Sequence, residues 1–276
     1  MNSIINNGFF CPQAKKTYIM GILNVTPDSF SDGGKYNSFD KALKHTEKML
    51  SEGSDIIDIG AVSTRPFSDK VGEEEEWERL EATLTGIKKH FDCTVSVDTV
   101  SPLVARRSIL AGADIINDVS GVFSSEMADV IKSSECGWIV MHGGIGVRRA
   151  EEIAEFSDGI VNDVNKFFAE MIEKAQSYGI EKGRLCLDPG FGFSKTNEQN
   201  MELLMNSERL EAQGLPVLCA LSRKRFISDI SGEEDKERLI GTLAANLVAV
   251  EKGASIVRVH DVAAHRRAFD YFDSHR

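Results

Sequence analysis

Short apolar runs alternate with longer stretches of helical period along almost the whole chain. The runs lie at Tyr18 to Asn24, Asp55 to Ile59, Thr94 to Asp98, Asp114 to Asp118, Gly137 to His142, Arg184 to Asp188, Pro216 to Ser222, and Ser255 to His260. Each is short, bounded by turn residues, and therefore predicts a strand; most of the segments between them carry one amphipathic helix. A repeated βα unit requires a mostly parallel sheet with helices laid over it. Eight such units in about 250 residues predict an α/β fold, a (β/α)8 TIM barrel, as a single domain over residues 1–276 with its core at about 18–274. A doubly wound open sheet is the structural alternative. The strand count favours the barrel, as does the lack of a Gly-x-Gly-x-x-Gly turn opening the first helix.

Composition narrows the partners. At 276 residues and 42% hydrophobic, the chain can bury a full barrel core. A net charge of −11 opposes non-specific attraction to nucleic acid or to an anionic membrane surface, which leaves small molecules as the expected partners. Any anionic ligand must then be held by local cations. Cys11, Cys93, Cys136, Cys186 and Cys219 are odd in number, scattered and without Cys-x-x-Cys spacing, so neither a disulfide framework nor a zinc site is expected. The first residues lack the basic and apolar regions of a secretory signal and no apolar run reaches membrane-spanning length, which makes the cytoplasm the expected compartment. The acidic run Glu73 to Glu76 reads as the first turn of a helix continuing through Trp77, Leu80 and Leu84, where the helix dipole favours negative charge.

The strand ends carry the candidate chemistry, because the carboxyl ends of barrel strands form the catalytic face. In order they bear Asn24, Asp58, Asp98, Asn117 with Asp118, His142, Asp188, Ser222 with Arg223 and Lys224, and Arg258 with His260. One polar residue at a strand end is as readily a helix cap or a satisfied core group; so many at one rim point to a site. Asp98, Asn117 and Asp188, with no cation beside them in sequence, suit a neutral heterocycle presenting N–H donors and ring acceptors. Arg65, Lys224, Arg258 and His260 suit a phosphate or pyrophosphate. A polar heterocycle joined to a phosphorylated group is the ligand these residues suggest. Two polar loops, Val25 to Gly34 and Ser63 to Pro66, follow the first two strands and read either as lids over the site or as solvated connectors.

One stretch is more specific than the rest: Met20-Gly21-Ile22-Leu23-Asn24-Val25-Thr26-Pro27-Asp28-Ser29-Phe30-Ser31-Asp32-Gly33-Gly34. With Ser63-Thr64-Arg65-Pro66, Val97-Asp98-Thr99, Asp114-Ile115-Ile116-Asn117-Asp118, Asp188-Pro189-Gly190-Phe191-Gly192-Phe193, Ser222-Arg223-Lys224 and Arg258-Val259-His260-Asp261-Val262, it resembles the dihydropteroate synthases of the pterin-binding barrel superfamily, over about Ile19 to Val262. The resemblance implies that 6-hydroxymethyl-7,8-dihydropterin diphosphate and 4-aminobenzoate are joined to give 7,8-dihydropteroate and pyrophosphate, with Mg2+ assisting. By position, Asp98, Asn117, Asp188 and Lys224 would hold the pterin, and Asn24 would help bind Mg2+. Thr64, Arg65, Arg258 and His260 would hold the diphosphate, while Phe30, Thr64 and Pro66 would shape the aminobenzoate pocket. Catalysis would fall to Asp98, Asp188, Lys224 and Arg258, and the resemblance further implies a homodimer through outer-wall helices.

The chain departs from the family pattern at three places. Gly60-Ala61-Val62 stands where Gly-Gly-Glu is common, Gly143 stands where a methionine commonly follows Met-His, and Arg225 replaces the serine that commonly ends Ser-Arg-Lys-Ser. Arg225 then either pairs with the aminobenzoate carboxylate or points to solvent. Two other readings stay open: a pterin-dependent methyltransferase with a corrinoid partner, and a non-catalytic or altered-substrate pterin-binding paralogue.

Overall fold

The computed structural model describes residues 4–26, 34–62, 71–143, 156–231 and 238–275. A small antiparallel hairpin comes first, β1 (Ile5–Asn6) and β2 (Phe9–Phe10). The barrel strands follow as β3 (Tyr18–Asn24), β4 (Ile56–Gly60), β5 (Thr94–Asp98), β6 (Ile115–Asp118), β7 (Gly137–Met141), β8 (Leu185–Asp188), β9 (Leu218–Cys219) and β10 (Ile256–Val259). Between and after them run α1 (Gly34–Ser51), α2 (Glu73–His90), α3 (Pro102–Leu110), α4 (Ser125–Lys132), α5 (Ile160–Tyr178), α6 (Asn197–Met205), α7 (Arg225–Ser231), α8 (Leu239–Glu251) and α9 (Val262–Asp273). The sheet order is β8-β7-β6-β5-β4-β3-β10-β9, and all its pairings are parallel. A parallel bridge between Leu187 and Val217 joins the two ends of that order, closing a single-domain (β/α)8 TIM barrel.

Alternation along each strand sorts its side chains into two cores. Ile19, Leu23, Ile57, Ile59, Val95, Val97 and Ile116 face outward and pack with the helices. Tyr18, Met20, Ile56, Ile115, Ile139, Cys186, Leu218 and Ile256 face inward and fill the barrel. The N-terminal hairpin belongs to this inner core, for Ile4, Ile5 and Phe10 pack with it. A hairpin of two-residue strands carries no periodicity to read, which is why the sequence pattern leaves it out. It closes the end of the barrel at which β7 begins: a β-carbon on Gly137 would meet Ile5 Cδ1 at 2.5 Å and Phe10 Cε2 at 2.8 Å.

The eight expected strands all occur, most within one residue of their predicted bounds. The exception is Pro216 to Ser222, which shortens to Leu218–Cys219. Pro216 has no N–H to donate, although its carbonyl accepts from Leu187. At the other end the chain leaves the ladder for a turn in which Arg223 has a left-handed backbone, φ +56°. Helix ends are set locally, by Ser101 and Ser124 capping α3 and α4 and by a Thr196–Gln199 capping box on α6. The acidic run opens α2 as expected. Glu74 meets Arg107 of α3 through two hydrogen bonds, and Glu73 accepts from Ser101 at 2.6 Å, so the run also ties two helices together. Cys136, Cys186 and Cys219 are buried, and all five cysteines are free.

Gly137→Val is expected to lower stability by about 1–3 kcal/mol through overpacking against the hairpin. Urea unfolding at fixed pH measures this, and an unchanged midpoint would show that the hairpin does not press on the barrel.

Candidate active site

The carboxyl ends of the strands bring acidic, amide and cationic side chains together in one cluster above the inner apolar core. Strand register places Asp98 directly beside Asn117 and also beside Gly60, which lies next to Asn24. Arg258, reaching in from β10, lies between two acids: its Nε donates to Asp58 Oδ2 at 2.6 Å and its NH2 to Asp98 Oδ2 at 2.9 Å. Asn117 Nδ2 lies 3.4 Å from the same Asp58 oxygen. The acids therefore do not stand apart from the cations, as their sequence neighbourhoods suggest. A guanidinium 160 residues from Asp98 along the chain sits against it.

Electrostatics follow from this crowding. Burial pushes the Asp98 carboxyl up to about 7; Arg258 pulls it down and Asp58 pushes it further up. Burial works against the charge on Arg258, but Asp58 and Asp98 outweigh it and raise its pKa above the ordinary value. Burial likewise lifts Asp188, opposed by the Gly190 N–H that donates to Asp188 Oδ1 at 2.7 Å and by Lys224. Lys224 is drawn down to about 8 by burial, with Asp188 opposing. Its Nζ donates to the Phe191 carbonyl at 2.6 Å and stands 4.1 Å from the Phe193 ring centroid. Gly192 makes room for this lysine, since a β-carbon there would lie 2.8 Å from Lys224 Cδ in a backbone of φ +76°.

The last two strands are clasped from outside. Arg223 forms a fork to Asp261, Nε to Oδ2 at 3.1 Å and NH2 to Oδ1 at 2.8 Å, while its own N–H donates to Thr242. Ser222 Oγ lies 3.0 Å from His260 Nδ1 and accepts the His260 N–H at 3.2 Å. Ser222 and Arg223 thus fix the turn that aims Lys224 inward and sets His260 at the rim.

Asn24, Asp98, Asn117, Asp188, Lys224, Arg258 and His260 all lie at this end of the barrel, as expected. Phe30, Thr64, Arg65 and Pro66 lie outside the described residues, as does most of each loop read as a lid. Two strand-end residues turn the other way. Asp118 accepts from Ser120 N and lies 3.4 Å from Trp138 Nε1 beneath the helices. His142 packs against Phe156 and Phe167 with its Nε2 2.9 Å from Asp163 Oδ2. Burial lowers the His142 pKa, with the Asp163 hydrogen bond opposing. Sequence reasoning missed the role of Asp58, although it stood among the strand ends: it is the fully buried partner that orients Arg258.

The departures also resolve in part. Arg225 projects into solvent, 89% exposed, with Nε 3.6 Å from Asp229 Oδ2 one helical turn on. Ala61 is buried and its carbonyl accepts from Arg79, which ties the start of the second loop to α2. Gly143 is buried, and the segment that follows it lies outside the described residues.

Residues 20–260 match the family model described as pterin binding enzyme. A protein of Clostridium beijerinckii named dihydropteroate synthase is 43% identical over 92% of this chain and 92% of its own. The dihydropteroate synthase of Clostridium difficile, solved in the presence of pteroic acid, superposes with a TM-score of 0.88 at 39% identity, covering 94% of this chain and 97% of that one. That of Xanthomonas albilineans, solved with 4-aminobenzoic acid, gives a TM-score of 0.87 at 38% identity, covering 94% and 93%.

Removing one acid from the Arg258 pair leaves a buried charge under-compensated, so Asp58→Ala is expected to cost about 3–5 kcal/mol of stability. Denaturant unfolding alongside Asp58→Asn reads it, and a loss below about 1 kcal/mol would place the pair with weak surface ion pairs instead.

Proposed function

The chain belongs to the pterin-binding enzyme family, among the dihydropteroate synthases, and on that premise we propose how its rim performs the reaction. The enzyme is a transferase of folate biosynthesis that condenses 6-hydroxymethyl-7,8-dihydropterin diphosphate with 4-aminobenzoate, giving 7,8-dihydropteroate and pyrophosphate. The observation that carries the assignment of roles is the meeting of Asp98, Asn117 and Asp188 with Lys224 and Arg258 in one largely buried cluster at the carboxyl ends of the strands. Acceptors and a donor-acceptor amide suit the edge of a pterin ring, which presents N–H groups and ring nitrogens.

In this reading the C–O bond to the diphosphate breaks first and its electron pair leaves on the diphosphate oxygen. The amine lone pair of 4-aminobenzoate then forms the C–N bond, and an amine proton is released to water. Asp98 and Asp188 stabilise the positive charge that develops on the pterin. By family position Arg258, His260, Thr64 and Arg65 take the departing anion while Lys224 stays with the pterin, and Phe30, Thr64 and Pro66, which lie outside the described residues, are assigned to the amine substrate. Arg258 is the pivot between the two charges, since it is held by the buried Asp58 and by Asp98, the latter being one of the two acids assigned to the cationic pterin.

Mg2+ is a proposal that rests on the donor set. The Asn24 amide oxygen lies 3.8 Å from the point a β-carbon on Gly60 would occupy, at the rim beside Asp98, whose Oδ2 is already held by Arg258. No group of three His, Cys, Asp or Glu side chains among the described residues makes a cage on its own. One or two protein oxygens beside a diphosphate is the ordinary setting for Mg2+, and when bound it would neutralise charge on the leaving group. The cytoplasm is the compartment we propose, supported by five free cysteines in a family of folate enzymes and checked by cell fractionation.

Purified protein with Mg2+, the pterin diphosphate and 4-aminobenzoate is expected to form pyrophosphate and dihydropteroate in equal amounts; pterin binding without turnover would mark a non-catalytic paralogue instead. Asp98→Asn is expected to lower kcat/KM for the pterin substrate by about 10- to 100-fold, the equivalent of a hydrogen bond to a charged group. Because burial raises Asp98 to about 7, the wild-type kcat/KM should also fall as pH drops below 7 and the carboxyl gains a proton. Full activity in Asp98→Asn, or the same acid limb persisting in it, would remove Asp98 from this role.

A homodimer is supported by the outer face of α8, where Ile240 is 72% exposed and Leu243, Ala244 and Leu247 lie three to seven residues on, at least partly exposed on one stripe. A self-complementary two-fold contact would cover it. Light scattering should give twice the chain mass and Ile240→Asp should shift it toward the monomer; a monomeric wild type would end the proposal.

A further inference from the structure

Behind the rim lies a charged group that the reaction does not use. Lys195, in the loop between β8 and α6, is 8% exposed, and its ammonium group is surrounded by backbone carbonyls: Gly190 O at 2.8 Å, His142 O at 3.2 Å and Phe193 O at 3.2 Å. An ammonium has three N–H bonds, so all are used and none remains for a substrate. Its root is fixed as well. Thr196 and Gln199 form the capping box of α6, and Asn200 ties the same segment down, with Oδ1 accepting the Gly192 N–H at 2.7 Å and Nδ2 donating to the Lys195 carbonyl at 3.3 Å. Glycine at 190 is what allows this approach. In its φ +68° backbone a β-carbon would land on the His142 carbonyl oxygen and lie 3.3 Å from Lys195 Nζ.

Three of the carbonyls in the turn after β8 are therefore held by two lysines. Phe191 O is held from the front by Lys224, while Gly190 O and Phe193 O are held from behind by Lys195. The same turn supplies the Gly190 N–H that orients Asp188. We propose that Lys195 is a positioning residue for the pterin site, a buried strut that gathers the ends of β7 and β8 and so fixes the turn in the shape that presents Asp188 and Lys224 to the ligand. The inference rests on the functional reading above and extends it to a residue that touches no substrate. Burial draws the Lys195 pKa down to about 7 against the pull of Asp188, so a charge at this position carries a desolvation cost that a solvated loop would not bear.

The test separates position from stability. Lys195→Met keeps the stem and removes the donors. We expect it to fold with a lowered Tm and to weaken binding of the pterin diphosphate, measured by titration calorimetry, by about 10- to 100-fold, as misplacement of a binding group by about an ångström does. The KM for 4-aminobenzoate should stay close to the wild-type value. Gly137→Val, at the opposite end of the barrel, is the control: a comparable fall in Tm should leave pterin affinity within about twofold, because distant sites act independently. If Lys195→Met does not fold, Lys195→Gln, which keeps one donor head, is read for the same two quantities. A lowered Tm with unchanged pterin affinity in the folded variant would make Lys195 a structural group only and overturn the proposal. A wild-type protein that binds no pterin diphosphate would overturn the functional reading, and this inference with it.

Discussion

Arg258 holds two acids, Asp58 and Asp98, in a pit where neither is readily hydrated, and the remaining geometry of the rim follows from that. Closing eight parallel strands into a barrel sends every inward-facing strand end toward one axis, so polar groups placed there are brought together whether or not their charges agree. Asp58 is fully buried and the Asp98 side chain is 13% exposed. Without a cation between them, two carboxylates would repel each other where water screens them poorly. The guanidinium meets both with separate N–H groups, a geometry that a lysine ammonium matches poorly. The arrangement is held in tension: burial still lifts Asp98 to about 7, which leaves it poised rather than locked as an anion.

That poise suits a ligand whose positive charge appears only during reaction. A pit carrying unpaired anions would bind a cation strongly and release it slowly. In the proposed reaction Asp98, shared with Arg258, would be the acid that faces the developing cation, while Asp58 keeps the guanidinium in place. On that proposal the groups would gain most when both charges form, which is the condition for lowering a barrier rather than deepening a ground state.

The fold was legible because strand alternation is a strong signal. Tyr18–Asn24 and Thr94–Asp98 have the bounds their apolar runs predict. The site was legible to the extent that it sits at strand ends, but alternation also decides which of two adjacent polar residues faces in. Asn117 does and Asp118 does not; Met141 does and His142 does not. Counting parity from Ile115 or Ile139, which face the barrel interior, would have separated each pair. What no local pattern gives is partnership over long separations. The cation for Asp98 comes from the last strand, and a lysine in a polar loop reads as solvated until the loop is seen to fold around it.

The segment Asp188-Pro189-Gly190-Phe191-Gly192-Phe193-Ser194-Lys195 shows how such partnerships are encoded after all. Its two glycines occupy left-handed positions that a β-carbon would strain, and each also lies beneath a lysine: Gly190 beside the Lys195 ammonium and Gly192 beneath the Lys224 stem. Backbone freedom and close approach are needed at the same residues, which narrows the choice to glycine twice over. The phenylalanine that follows each glycine has a different duty. Phe191 is fully buried and stacks with Phe226 of α7, anchoring the turn, while the Phe193 ring lies under the Lys224 ammonium. A turn built this way has little freedom to move once the lysines are in place. The orientation of Asp188 is then a property of the whole turn, and the residues that set it include Lys195, whose donors are all taken by backbone carbonyls.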